Sequence, residues 1–154
     1  EAKCVDQVRA GLAGGMQPVL GGGESFEERR QGIELEFGVG QVRDVTRDLS
    51  DEEAGKLVIA YEPVWAIGTG MVATGQSAQD AAHAIRMSLR TTFGRNVCDS
   101  VRILYGGSVT SRNAVELITE PDVDGFLIGG AALDVNELST IARLTVKTTS
   151  DAAK

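Results

Sequence analysis

Residues 57–63 read Leu-Val-Ile-Ala-Tyr-Glu-Pro, and this stretch decides the fold. Five apolar residues in succession, two of them β-branched, are typical of a strand buried on both faces, and Pro63 ends it. Three further apolar runs end at glycines in the same manner: residues 18–20, 101–105 and 123–128. The sequence therefore predicts four short buried strands, each followed by a turn at its C-terminal end.

Helix-like stretches separate these strands. Residues 77–80 and 134–137 have the form of a capping box, and apolar residues follow each at helical spacing. Residues 111–119 predict a shorter helix, while residues 26–47 are charged and broadly helical but are interrupted by glycines at 32, 38 and 40. Alternating strands and helices predict an α/β fold of parallel strands with crossover helices. Four such strands form either a small open sheet or half of an eight-stranded barrel, because a whole (β/α)8 barrel needs roughly 250 residues.

Composition narrows the function classes. The chain has 154 residues and a net charge of −7, which argues against a nucleic-acid or anionic membrane partner. Cys4 and Cys98 lie far apart and indicate free thiols in a reducing compartment. With no signal peptide or membrane-spanning run, we expect a cytoplasmic protein. The chain also opens within a helical pattern, which suggests a fragment.

Function in α/β folds collects at the C-terminal ends of the strands. Glu62 stands at such an end, where a carboxylate can act as a general base; the alternative is a solvated loop glutamate or an ion-pair partner. Residues 63–73 contain Val, Trp and Ile between Pro and Gly, which favours a lid that closes over a ligand. The alternative is an ordinary connection with Trp65 buried in the core.

Glycines at two further strand ends predict a phosphate site. Residues 105–108 and 129–131 are glycine-rich, and backbone N–H groups at such turns bind anions; residues 68–70 can add further donors. The alternative is a pair of tight turns. The single histidine, His83, lies inside a predicted helix far from the strand ends, so we expect no catalytic role for it, and no residue cluster has metal-ligand spacing.

Residues 61–70, Tyr-Glu-Pro-Val-Trp-Ala-Ile-Gly-Thr-Gly, are similar to the signature of the triosephosphate isomerase family. Residues 105–109 resemble its strand-seven motif and residues 122–131 its strand-eight motif, in the right order and spacing. The resemblance covers nearly the whole chain. It implies that residues 1–154 form a partial TIM-barrel domain, the C-terminal half of a (β/α)8 barrel with strands five to eight.

The resemblance also implies roles for individual residues. Glu62 resembles the catalytic base that moves a proton between two carbons of a triose phosphate, in glycolysis and gluconeogenesis. The implied lid and latch residues are Pro63, Trp65, Thr69 and Tyr105, with Ser108 also taking part in the latch. The implied phosphate-binding residues are Gly68, Ser108, Gly129 and Gly130, and Glu24 resembles a glutamate with a structural role behind the site. The family uses no cofactor and no metal, and its full-length members are homodimers.

The chain departs from the family's pattern in three respects. The family's catalytic Lys, strand-two Asn and electrophilic His belong to the N-terminal part, so we expect this chain alone to be inactive. Gly21 and Gly22 replace larger residues of strand five, which predicts a void there. Met71 and Gly75 replace a residue that is often basic and a common proline, which changes the stiffness of the lid.

Two other functions therefore stay open beside the isomerase. One is a phosphate-binding half barrel without activity, and the other is a fragment that associates through its edges. A half barrel exposes two unpaired strand edges, so we expect the chain to belong to a longer protein, to pair with another chain, or to be marginally stable.

Overall fold

The computed structural model describes residues 2–69 and 71–152. Four parallel strands form one sheet in chain order: β1 (Val19–Gly22), β2 (Val58–Tyr61), β3 (Arg102–Tyr105) and β4 (Gly125–Phe126). In this register the C-terminal ends are level, with Gly22 opposite Tyr61, Tyr61 opposite Tyr105, and Tyr105 opposite Phe126. The segments that follow the strands therefore meet at one edge of the sheet, as the sequence predicted.

Eight helices surround this sheet within the described residues. They are α1 (Ala2–Ala13), α2 (Phe26–Arg30), α3 (Glu34–Thr46), α4 (Asp51–Ala54), α5 (Gly75–Phe93), α6 (Arg95–Ser100), α7 (Ala114–Ile118) and α8 (Val135–Ala152). Single 3-10 turns occur at Val64–Ala66 and Gly130–Leu133. Strands and helices alternate along the chain, so the expected α/β architecture of a partial TIM barrel is confirmed.

The core lies between the sheet and the long helices. Ile59 of β2 and Ile103 of β3 are almost fully buried, as are Leu89 of α5, Leu117 of α7 and Ile141 of α8. Burying each such side chain stabilises the fold by about 1.5–3 kcal/mol. The central strands β2 and β3 are thus fixed from both neighbouring strands and from the helices, and these two strands carry Glu62 and the turn after Tyr105.

The two outer strands are less protected. β1 and β4 end the sheet, and Val19 of β1 is 53% exposed. Leu133 and Val135, which follow β4, are 92% and 75% exposed. The expected pair of unpaired edges is therefore present in the described part of the chain.

Both predicted capping boxes need correction. Helix α5 begins at Gly75, because Thr74 is the residue whose hydroxyl accepts the N–H of Ser77, at 3.1 Å. Ser77 is therefore the third residue of the helix rather than its cap. Asp134 does cap α8, accepting the N–H of Asn136 at 2.8 Å. The side chain of Glu137, however, does not return to Asp134 and instead contacts another loop.

The stretch from residue 26 to residue 47 is two helices rather than one. Gly32 separates α2 from α3 and has a φ of +72°, a conformation that glycine adopts without strain. Gly38 and Gly40 lie inside α3 and do not interrupt it. The short helices α4 and α6 were not predicted, and the helix predicted at 111–119 covers only Ala114–Ile118.

Among the helices described, none combines the length and apolar composition that crossing a bilayer requires.

Candidate active site

Glu62 lies at the C-terminal end of β2, between the ends of β1 and β3. Its N–H donates to the carbonyl of Gly22 at 2.7 Å, which continues the strand pairing by one residue. A Cβ at Gly106 would lie 2.5 Å from Glu62 Cγ, and one at Gly21 would lie 3.1 Å from Glu62 Oε1. The carboxylate therefore needs glycine at residue 106, and glycine at residue 21 gives its flexible end further room. It is half-buried and lines a cavity of about 310 Å³.

The space expected at Gly21 and Gly22 is part of the cavity at Glu62, and two side chains fill it only in part. The carboxylate of Glu62 lies beside Gly21, and the side chain of Gln41 from α3 reaches Gly22, with its Oε1 2.9 Å from where a Cβ would stand. The same Gln41 oxygen accepts the N–H of Gly23 at 3.0 Å. Side chains from other elements thus occupy part of the space that the glycines leave, and the hydrogen bond from Gly23 to Gln41 ties the end of strand β1 to α3.

Trp65 anchors the first part of the predicted lid. Its indole Nε1 donates to Glu24 Oε1 at 2.7 Å, and the guanidinium of Arg29 stacks over its ring at 4.6 Å from the centroid. Arg29 also donates to Ser77 at 3.1 Å, which links the start of the lid to α5 behind its far end. The first residues of the predicted lid are therefore fixed: Trp65 is held by Glu24 and Arg29, and Pro63 is buried.

Glu24 is the fully buried carboxylate behind this anchor. Its Oε1 accepts from Tyr61 at 3.1 Å and from Trp65, and lies 3.5 Å from the guanidinium of Arg29. Burial, and then the charge of Glu24, raises the pKa of Tyr61 far above its ordinary value, so the phenol stays protonated and donates. Glu24 lines neither the cavity at Glu62 nor the glycine-lined cavity.

The middle of the lid is held by its own hydrogen bonds. Thr69 Oγ1 donates to the carbonyl of Trp65 at 2.8 Å and accepts the N–H of Met71 at 3.2 Å. Gly70, which the sequence offered as a further N–H donor, lies outside the described residues. Val64 and Val72 are each about half exposed, so the lid presents apolar surface to solvent.

The two predicted latch residues, Tyr105 and Ser108, differ in their contacts with the lid. Ser108 Oγ donates to the carbonyl of Ala66 at 2.8 Å, which joins the turn after β3 to the lid. The Tyr105 hydroxyl is buried, and burial raises its pKa; the backbone of Ala73, at the end of the lid, offsets this effect only in part. The hydroxyl lies against Gly107, where any Cβ would overlap it.

The four predicted phosphate residues line one cavity of about 490 Å³. Gly68 comes from the lid, Ser108 from the turn after β3, and Gly129 with Gly130 from the turn after β4. Gly68 has a φ of +67°, and Cβ atoms at 129 and 130 would meet open space. Ile67 lines both this cavity and the one that Glu62 lines, so the two cavities adjoin at this residue.

The contacts of two polar residues of this region, Asn113 and Glu137, could not be found from the sequence. Asn113 donates to the carbonyl of Ser108 at 2.9 Å and accepts the N–H of Thr110 at 2.8 Å. Glu137 accepts the N–H of Ser111 at 2.6 Å and its hydroxyl at 3.1 Å. Glu137 had been assigned to a helix cap, and no local pattern marks a contact across 26 residues.

His83 lies away from both cavities, as predicted, in a polar cluster on α5. Its Nδ1 is 2.8 Å from Asp122, which also accepts from Gln79 and pairs with Arg86; Arg86 in turn binds Asp124. Burial raises the pKa of Asp122, but hydrogen bonds from His83 and Gln79 and the charge of Arg86 outweigh it and hold that pKa below its ordinary value. Elsewhere too, the described residues contain no group of three metal-ligating side chains.

The model of the triosephosphate isomerase family matches residues 1–145. The chain belongs to the triosephosphate isomerase family. The family indicated by residues 61–70 is thereby confirmed, and the four strands described above are a part of its barrel.

Curated triosephosphate isomerases resemble the chain over nearly its full length. The protein of Bifidobacterium longum strain DJO10A is 77% identical over 149 residues, which are 97% of this chain and 56% of that protein. The triosephosphate isomerase of Bifidobacterium adolescentis is 73% identical over 150 residues, covering 97% and 57%. That of Nocardia farcinica is 42% identical over 144 residues, covering 94% and 55%. The chain thus spans about half the length of the curated relatives it matches.

Proposed function

We propose that this chain supplies the base, the lid and the phosphate cradle of an isomerase that interconverts glyceraldehyde 3-phosphate and dihydroxyacetone phosphate. Glu62 takes the proton from the carbon beside the carbonyl and returns it to the neighbouring carbon. Gly68, Ser108, Gly129 and Gly130 hold the phosphate. The proposal places the enzyme in the cytoplasm and in glycolysis and gluconeogenesis, as a homodimer in its full-length form.

One observation carries the proposal most directly. The carboxylate of Glu62 and the four-residue cradle line adjoining cavities that share Ile67. A three-carbon phosphate that spans this side chain presents its reactive carbons to the base while its phosphate stays among backbone donors. Closure of residues 63–73 would exclude water from the half-buried carboxylate, and water exclusion favours proton transfer over side reactions.

The chain supplies only part of the chemistry. Neither cavity is lined by a Lys, Arg or His among the described residues, and His83 is bound to Asp122. A base without an electrophile loses most of the electrostatic stabilisation of the enediolate. We therefore expect the chain alone to be inactive and to need the part that its relatives possess in addition.

A phosphate-binding function without turnover is the second candidate. The glycine-lined cavity is formed wholly by residues of this chain, whereas the electrophile is not. Backbone N–H groups bind phosphate without any positive side chain. On this alternative the chain binds phosphate normally, but activity does not return when the rest of the barrel is supplied.

A complementation assay separates the two candidates. The chain is co-expressed with the part of the B. longum relative that it does not cover, and isomerisation of glyceraldehyde 3-phosphate is measured. The isomerase proposal expects activity from the pair, loss of about 10³-fold with Glu62→Gln, and retention of part of it with Glu62→Asp. An inactive pair whose chain still binds inorganic phosphate would favour the second candidate.

A further inference from the structure

We infer that Glu137 is a positioning residue for the phosphate cradle: its side chain joins the turn after β3 to the segment after β4. The inference rests on the proposed phosphate-binding role of that cavity. Glu137 is the third residue of α8, seven positions after Gly130 of the cradle. Its carboxylate accepts both the N–H and the hydroxyl of Ser111, at 2.6 and 3.1 Å.

This contact joins the two halves of the cradle. Ser111 follows β3 and lies three residues after Ser108, whereas Glu137 follows β4 and lies seven residues after Gly130. The two turns come from an outer strand and its neighbour, and β4 is only two residues long. A strand this short makes few hydrogen bonds, so it fixes the turn that follows it poorly. The charge-assisted hydrogen bonds between Glu137 and Ser111, which form a clamp, therefore contribute more to the position of that turn than they would after a long strand.

Asn113 stabilises the turn after β3 that carries Ser108 and Ser111. It donates to the carbonyl of Ser108 and accepts the N–H of Thr110, which fixes the backbone between the cradle and the clamp. Movement of Ser111 toward or away from Glu137 is therefore passed on to Ser108 through a short, hydrogen-bonded turn. The clamp sets the distance between the N–H donors of Ser108 and those of Gly129 and Gly130.

The clamp also places a negative charge in the cavity wall. Glu137 is the charged residue among those that line the 490 Å³ cavity, and it also lines a neighbouring cavity of about 500 Å³. A carboxylate near a bound phosphate dianion weakens binding by repulsion. Glu137 thus acts in two opposed ways: its hydrogen bonds order the cradle, and its charge limits the affinity for phosphate and favours release of a phosphorylated product.

The two effects are separable by two substitutions. Glu137→Gln keeps a carbonyl oxygen for the N–H of Ser111 but removes the charge, and Glu137→Ala removes both. We expect inorganic phosphate to bind about threefold more tightly to Glu137→Gln and about threefold more weakly to Glu137→Ala than to the unmodified chain. Glu36→Gln on α3, an exposed residue, is the control for the change in net charge and is expected to leave binding unchanged.

Binding is measured by titrating inorganic phosphate into the ¹⁵N-labelled chain and following the amides of Ser108 and Gly130. Amide hydrogen exchange at the same residues, measured without phosphate, tests the clamp independently of any ligand. Exchange should be faster by about tenfold in Glu137→Ala and nearly unchanged in Glu137→Gln. Equal exchange in all variants would overturn the clamp, and equal phosphate affinity of Glu137→Gln and the unmodified chain would overturn the charge effect. Failure of the unmodified chain to bind phosphate would instead refute the proposed function.

Discussion

Substitution of Gly23 by alanine should separate strand β1 from β2. A Cβ at this position would overlap the carbonyl oxygen of Glu62 and lie 3.0 Å from the nitrogen of Pro63. Both are backbone atoms of a buried strand end, so no side-chain rotation relieves the overlap. β1 would have to move away, which weakens the hydrogen bonds from Glu62 N–H to Gly22 and from Val64 N–H to Glu24, now 2.7 and 2.9 Å long.

The expected cost follows from these contacts. Overpacking a buried site costs about 1–3 kcal/mol, and each weakened hydrogen bond adds about 1 kcal/mol. Gly23→Ala should therefore lower the free energy of unfolding by about 3–5 kcal/mol. Gly21→Ala is the matched control in the same strand: its Cβ would meet only the end of the Glu62 side chain, at 3.1 Å. Its effect should stay within about 1 kcal/mol, because alanine also restricts the unfolded chain.

Urea unfolding followed by tryptophan fluorescence measures both variants. Trp65 is the single tryptophan of the chain and lies on the element that β1 supports through Glu24. A chain that is too destabilised to fold would also agree with the prediction for Gly23→Ala, provided that Gly21→Ala folds. A loss below about 0.5 kcal/mol in Gly23→Ala would refute the assigned packing of β1 against Glu62.

Two further predictions concern the buried charges. Glu24→Leu should cost about 3 kcal/mol and shift Trp65 emission, because the donors of Tyr61 and Trp65 lose their acceptor; an unchanged emission spectrum would contradict the anchor. The pKa of Asp122 is lowered in the folded chain, so its contribution to stability is present above about pH 4 and is lost as the pH falls below that value. In urea unfolding, Asp122→Asn should lose less free energy of unfolding on acidification than the unmodified chain does. The same dependence of the free energy of unfolding on pH in both proteins would contradict this prediction.

The order of the elements could be predicted from the sequence because each strand is followed by a residue that ends it. Pro63 after β2 and the glycines after β3 and β4 stop a strand whatever surrounds it, so the four strands and the edge they share follow from local chemistry. The residues proposed to bind phosphate were chosen from the same signal. Glycine at consecutive strand ends is visible in the sequence and is also the physical requirement of the cradle.

The helix starts and the contacts of Glu137 could not be predicted in this way. Thr74 and Ser77 both offer a hydroxyl at cap spacing, and only the packing of the preceding lid decides which one caps α5. Glu137 has the sequence position of a capping residue, but Ser111 offers it two donors from a turn that lies distant in sequence. At Thr74 and at Glu137, tertiary contacts thus decided between two hydrogen-bonding arrangements that the local sequence allows.

Gly22 and Gln41 show the same competition beside the cavity at Glu62, and they offer a direct test of it. The helix side chain occupies the space that a strand side chain would take, with Gln41 Oε1 2.9 Å from a Cβ at residue 22. Gly22→Val alone should be destabilising because valine meets Gln41, and Gln41→Ala alone should be destabilising because it leaves a cavity and an unpaired N–H at Gly23. In the double variant the valine fills the cavity, so the loss should be smaller than the sum of the two by at least about 1 kcal/mol. Additive losses in urea unfolding would mean that the two side chains do not share one space, and that strand β1 tolerates its glycines for another reason.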